Sequence, residues 1–169
     1  LANQYFRYYD KRMSEGITLS GQLSIRWIAN KLNGYFNKML GTDKEDFVIA
    51  VDTDSVYLRF GPLIDKLFSK EDQLDKDKIV KFIDKICEDK LQPFIDKQYE
   101  ELAARQNAFA QKMIMKREVI ADRGIWTAKK RYVLNVHNSE GVQYAQPKMK
   151  IMGLEMVKSS TPLVVRDKL

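Results

Sequence analysis

One cysteine and one histidine in 169 residues set the first limits. Cys87 has no partner for an intrachain disulfide, and with His137 it falls short of the four ligands of a structural zinc site. No apolar run approaches the ~20 residues of a membrane-spanning helix. The opening LANQYFRYYDKRMSEG lacks the charged lead and apolar stretch of a secretory signal. Repeats, low-complexity tracts and Gly/Ser linkers are missing too, so no internal boundary is expected. Disulfide scaffolds, zinc fingers, His-rich metal sites and membrane spans drop out, leaving a cytoplasmic, reducing compartment as the default. What is present, 44% apolar and 31% charged residues, suffices for one hydrophobic core and argues against disorder.

The net charge of +6 is unevenly spread: +4 over residues 1–40, −5 over 41–100 and +7 over 111–169. A basic final third beside an acidic middle suits a polyanionic partner on one face, although a solvated lysine-rich surface has the same composition.

Leu19, Leu23, Trp27, Ile28, Leu32, Phe36 and Leu40 recur at helical steps, which predicts a helix over 18–40 stopped by Gly41. Two β-type runs, 47–51 and 56–60, flank Asp52-Thr53-Asp54-Ser55 and read as a hairpin. Helical spacing returns over 77–104 through Val80, Ile83, Ile86, Cys87, Leu91, Phe94, Ile95, Tyr99 and Leu102, with Asp77 as N-cap. Pro93 lacks a backbone donor, so this element should kink or split near residue 90. Strands are expected over 113–120, 126–136 and 142–152, and Thr161-Pro162 should open a last helix running to Leu169. Helices with an antiparallel sheet make an α+β fold.

Two clusters have chemical potential. Asp52 and Asp54, two residues apart beside short strands, place hard oxygen donors at strand period, where both could face one Mg²⁺. An ordinary Asx-rich turn explains the same spacing. Lys129-Lys130-Arg131-Tyr132 puts three cations and a ring on one strand, suited to phosphates and to packing against a sugar or base. Surface basic runs are common, so this cluster alone is weak. Cys87 is expected in the core and His137 at the surface. Met113, Met115, Met149 and Met152 alternate with lysines as in a half-buried sheet. Glu118 is expected to pair with Arg117 or Arg123 rather than to join the acidic pair.

Taken together, these segments resemble a known family. FVIAVDTDSVYLRF resembles the third palm motif of family B DNA polymerases, and IWTAKKRYVLNV their basic palm motif. The flanks NQYFRYYDKR, QLSIRWIANKLNGYFN, YAQPKMKIMGLE and KSSTP are similar to the replicative polymerases of T-even-like bacteriophages. The resemblance covers essentially the whole chain. It implies a palm subdomain segment over 1–169, an antiparallel sheet backed by helices, with 161–169 as the start of a cut-off thumb helix. It further implies that Asp54 holds two catalytic Mg²⁺ ions with Asp52 as companion, and that Thr53 and Ser55 lie on the substrate side. Lys129, Lys130, Arg131 and Tyr132 would grip the primer–template DNA, Lys130 reaching the minor groove at the primer terminus.

Two departures stand out. Ala50-Val51 replaces the usual Tyr-Gly, and Ala121-Asp122-Arg123-Gly124 shortens what is a glycine-rich hairpin loop in some phage relatives. The first palm motif, the dNTP-gripping fingers lysine, the exonuclease domain and the thumb are not in these residues. The chain is therefore expected to be inactive alone, as a split-gene product or a cut-down piece whose partners are the missing parts. Two other readings fit parts of the sequence: a non-catalytic nucleic-acid-binding module, and a glycosyltransferase using the Asp-x-Asp pair, which leaves KKRY unexplained.

Overall fold

The structure, a computed structural model, describes residues 1–71, 73 and 75–168. Helices and antiparallel sheets alternate in an α+β order. The chain divides into two compact units, Leu1–Asp72 with Pro93–Ile114, and Gln73–Gln92 with Met115–Leu169.

In the first unit, helix α1 (Lys11–Leu40) starts a full two turns before the apolar stripe. Asp10 explains the early start, because its carboxylate accepts from the N–H groups of Arg12 (2.8 Å) and Met13 (3.1 Å). The helix stops at Gly41, which takes the left-handed conformation (φ 70°) and donates to the Asn37 carbonyl. Only the second half buries a face, through Ile25, Ile28, Leu32 and Phe36; Leu19 and Leu23 are exposed. This face meets helix α4 (Gln92–Arg105): Trp27 Nε1 donates to the Gln98 carbonyl at 3.0 Å, and the Tyr35 and Phe94 rings lie 4.5 Å apart.

The connection from α1 to the first hairpin is tied to the helix by two asparagines one turn apart. Asn33 Oδ1 accepts from the N–H groups of Phe47 (2.8 Å) and Val48 (3.0 Å), while its Nδ2 donates to Asp46. Asn37 donates to the Glu45 carbonyl (2.8 Å) and accepts from the Glu45 N–H (3.0 Å). The two amides bond backbone groups at the entrance to the ladder, which begins where Val48 pairs with Leu58. Phe47 then stacks on Phe36, with centroids 5.4 Å apart, and both rings are fully buried. Strands β1 (Val48–Asp52) and β2 (Ser55–Leu58) follow, and α2 (Gly61–Leu67), which the sequence reading did not anticipate, begins with Pro62 in its first turn.

In the second unit, α3 (Lys76–Ile86) is capped by Asp75, which accepts from the Lys78 N–H at 3.1 Å, rather than by the expected Asp77. A π-helical turn, Cys87–Leu91, separates α3 from α4. The split expected from Pro93 thus takes the form of one widened turn, which accommodates a residue with no N–H to donate.

Strands β3 (Val119–Ala128), β4 (Arg131–Ser139) and β5 (Val142–Met152) form an antiparallel sheet in that order. Residues 113–118 lie outside it; the ladder begins where Val119 and Ile120 find Ser139 and Asn138. Residues 121–124, read as a shortened hairpin loop, instead sit inside β3, where register shifts bend the strand. Gly124 is required there: a Cβ would meet Leu134 and the Trp126 ring at 2.7 Å. Met113, Met149 and Met152 are exposed rather than half-buried, and Met113 and Met115 lie outside the sheet.

His137 is buried, contrary to expectation, with Nε2 3.3 Å from Asp122. Burial pushes the Asp122 carboxyl up, but hydrogen bonds from Lys76 and Asn135 outweigh it and hold the group below the usual range. Arg117 pairs with Asp84 and donates to Asn138 (2.7 Å), which leaves Glu118 to pair with Lys150. The last helix, α5 (Leu163–Arg166), is one turn that starts a residue late. Pro162 keeps an extended ψ of 142° and only its carbonyl joins the turn; Leu169 lies outside the described residues.

Two outcomes follow. Asn33→Ala leaves the Phe47 N–H unsatisfied and Val48 with only the Asp46 carboxylate at 3.2 Å, and should cost about 1–3 kcal/mol in urea unfolding, whereas the exposed Asn30→Ala should cost close to nothing. Cys87 is buried and its thiol is pushed up to about 11 by burial, so at pH 8 roughly one thiol in a thousand is ionised. Disulfide-exchange reagents should therefore label Cys87 only on unfolding; rapid labelling of the folded chain would contradict its placement.

Candidate nucleic-acid and metal-binding hairpins

Each candidate cluster occupies the tip of a two-residue hairpin, one in each unit. In the first unit the ladder runs Ala50↔Tyr57, Val51↔Val56 and Asp52↔Ser55, leaving Thr53 and Asp54 as the turn. The carboxylates therefore do not share a strand face by period. Asp52 ends β1 and is half-buried, whereas Asp54 is an exposed turn residue. Thr53 adopts φ 36°, a left-handed conformation costly for a β-branched side chain.

The two hydroxyls shape this turn: Thr53 Oγ1 donates to Asp52 Oδ1 (3.1 Å) and Ser55 Oγ to the Asp52 carbonyl (3.2 Å). Ala50 and Val51, where the resemblance leads one to expect Tyr-Gly, are ordinary ladder residues, with Val51 exposed. Among the described residues no three His, Cys, Asp or Glu side chains gather as a metal-holding cluster. Two carboxylates at an open tip nevertheless fit Mg²⁺ by donor chemistry. That ion takes hard oxygens and commonly binds one or two carboxylates, with water and substrate phosphate completing its shell.

In the second unit, Ala128 pairs with Arg131, so Lys129 and Lys130 lack ladder partners and close the β3–β4 hairpin. The KKRY run is thus split: two exposed lysines form the tip and two residues begin β4. Lys130 is left-handed (φ 62°). Tyr132 is 6% exposed and lies beside Trp126 (6.3 Å between centroids), so its ring belongs to the sheet rather than to an open platform.

Arg131 forms an ion pair with Glu155, which also accepts from Lys158 at 3.2 Å. A hydrogen bond from its own backbone, then Lys158 and the charge of Arg131, keep the Glu155 carboxyl below the usual range. Glu155 and Gly153 were not singled out in the sequence. A glycine at the end of a β-type run was the available signal, and nothing local marked the glutamate.

An α+β chain with one acidic and one basic hairpin tip is the class these features define. Compared with known proteins, it is 43% identical over 177 aligned positions to the DNA-directed DNA polymerase of Escherichia phage RB69, and 42% identical to that of Enterobacteria phage T4. Both alignments take in the whole chain and 20% of the relative, so the chain spans about a fifth of their length. No protein-family model matches it. The chain is related along its whole length to a segment of T4-like phage DNA polymerases. No helix among the described residues is long and apolar enough to cross a membrane.

The backbone at Lys130 separates charge from conformation. Lys130→Gly and Lys130→Val remove the same cation, yet the valine variant should be less stable than the glycine variant by about 1–2 kcal/mol, because a β-branched residue resists positive φ. Equal thermal midpoints would show that the turn relaxes away from this geometry.

Proposed function

We propose that the chain is the palm segment of a family B DNA-directed DNA polymerase of the T4-like phage type, spanning 1–169 and leading towards a thumb after residue 161. The observation that carries this reading is the alignment of the entire chain with those polymerases, with DTDS at one exposed hairpin tip and KKRY beginning at another. The substrates are primer–template DNA and a dNTP. The partners are the remaining polymerase parts: the exonuclease domain, the rest of the palm, the fingers and the thumb.

Asp54 holds the catalytic magnesium ions and Asp52 is the companion carboxylate. When bound, Mg²⁺ lowers the pKa of the primer 3′-hydroxyl and offsets charge on the departing pyrophosphate. The hydroxyls of Thr53 and Ser55 keep the acidic turn in shape on the substrate side. Lys129 and Lys130 neutralise duplex phosphates near the primer end, Lys130 reaching the minor groove, while Arg131 and Tyr132 anchor the tip into the sheet. One acidic pair without the other palm carboxylate or the fingers cannot complete the reaction, so the chain by itself should not extend a primer.

A chimeric T4-type polymerase carrying this chain in place of its own matching segment tests the reading by primer extension. The chimera should extend, and Asp54→Asn should abolish extension while leaving duplex binding intact. Undiminished synthesis by the Asp54→Asn chimera would remove the metal assignment. A chimera that binds duplex but never extends would favour a non-catalytic binding module.

A further inference from the structure

Lys129 and Lys130 stand on a turn that the chain supports from a second segment. Gly153, just past β5, adopts φ 69°, and a Cβ placed on it would lie 2.1 Å from the Lys130 carbonyl oxygen and 3.3 Å from Arg131 Cγ. No residue with a side chain fits there while the turn keeps its place. Two residues on, Glu155 takes the Arg131 guanidinium in an ion pair and accepts from Lys158. The Arg131 backbone pairs with Ala128 and its carbonyl accepts from Thr127 Oγ1 at 3.3 Å, while its side-chain Nε is buried with no acceptor.

We propose that Gly153 and Glu155 are positioning residues for the Lys129–Lys130 tip, the glycine seating the Lys130 carbonyl and the glutamate clamping Arg131, so that the two lysines meet DNA phosphates as a fixed pair. This rests on the reading of the tip as a duplex-gripping element. Fixing the tip matters because a lysine is a flexible point charge whose ordering costs side-chain entropy on binding. A backbone already held from below leaves less to order when DNA arrives.

Charge counting and positioning predict opposite signs for Glu155→Gln. The substitution removes a negative charge from a basic cluster, so attraction to a polyanion alone would tighten binding and steepen its salt dependence. Loss of the Arg131 clamp should instead weaken binding.

The test is fluorescence anisotropy of a labelled primer–template duplex titrated with the full chain across a salt series, with circular dichroism melts of each variant. Glu155→Gln should bind about fivefold more weakly, with a salt slope lower by about one. Glu155→Asp, which keeps the charge, should recover part of the loss. Gly153→Ala should weaken binding without any change of charge; if it fails to fold, the Glu155 variants decide. Unchanged or tighter binding by a folded Glu155→Gln chain overturns the positioning role. The double variant Lys129→Ala/Lys130→Ala separates the two ideas. If it binds as tightly as the parent, or if the parent binds no duplex, the reading of the tip itself falls. If it weakens binding while Glu155→Gln does not, only the positioning role falls.

Discussion

The first unit depends on two side-chain amides. Asn33 and Asn37 face the same side of α1 and satisfy the backbone of residues 45–48, a stretch that has left the helix and not yet joined a strand. Without them the N–H of Phe47, a fully buried residue, would have nothing to bond. The amides fix where Phe47 enters the core and where Val48 meets Leu58; a register shift between Val48 and Ala50 follows before the strands reach the acidic turn.

The three hairpin turns share one backbone feature, a non-glycine residue at positive φ. The turn between β4 and β5 uses Glu140 and Gly141, both at positive φ, a pattern in which glycine is at ease. The acidic and basic tips close equally short turns with Thr53 and Lys130 in left-handed conformations, as Glu140 is in the third turn. Of the three residues Thr53 is the least suited, because its side chain is β-branched.

Much of the fold was legible from sequence, and the gaps have physical causes. The buried half of α1, its glycine stop and the helix break near Pro93 follow from periodicity and from one missing N–H. The first two turns of α1 bury no face and so left no periodic signal; their cause is the Asp10 cap. The clusters were found by residue type, but alternation could not show that Asp54 and Lys129–Lys130 occupy turns. Hairpin register is set by the whole cross-strand ladder, from Val119 with Ser139 to Ala128 with Arg131. His137 and Glu118 were misplaced for the same reason: their surroundings, Asp122 and Lys150, come from other strands or distant positions. Gly153 and Glu155 matter only because β5 returns the chain to the β3–β4 tip.

The buried thiol of Cys87 has a practical corollary. As the single sulfhydryl in the sequence, and one that burial keeps protonated, it leaves the folded surface chemically silent towards thiol-directed dyes. A cysteine introduced at an exposed hairpin position would then be the sole site to take a probe. Two such singly labelled chains, one marked at the acidic turn and one at the basic turn, would let each be ranged against a fluorophore on the DNA with no native residue altered beyond the one replaced.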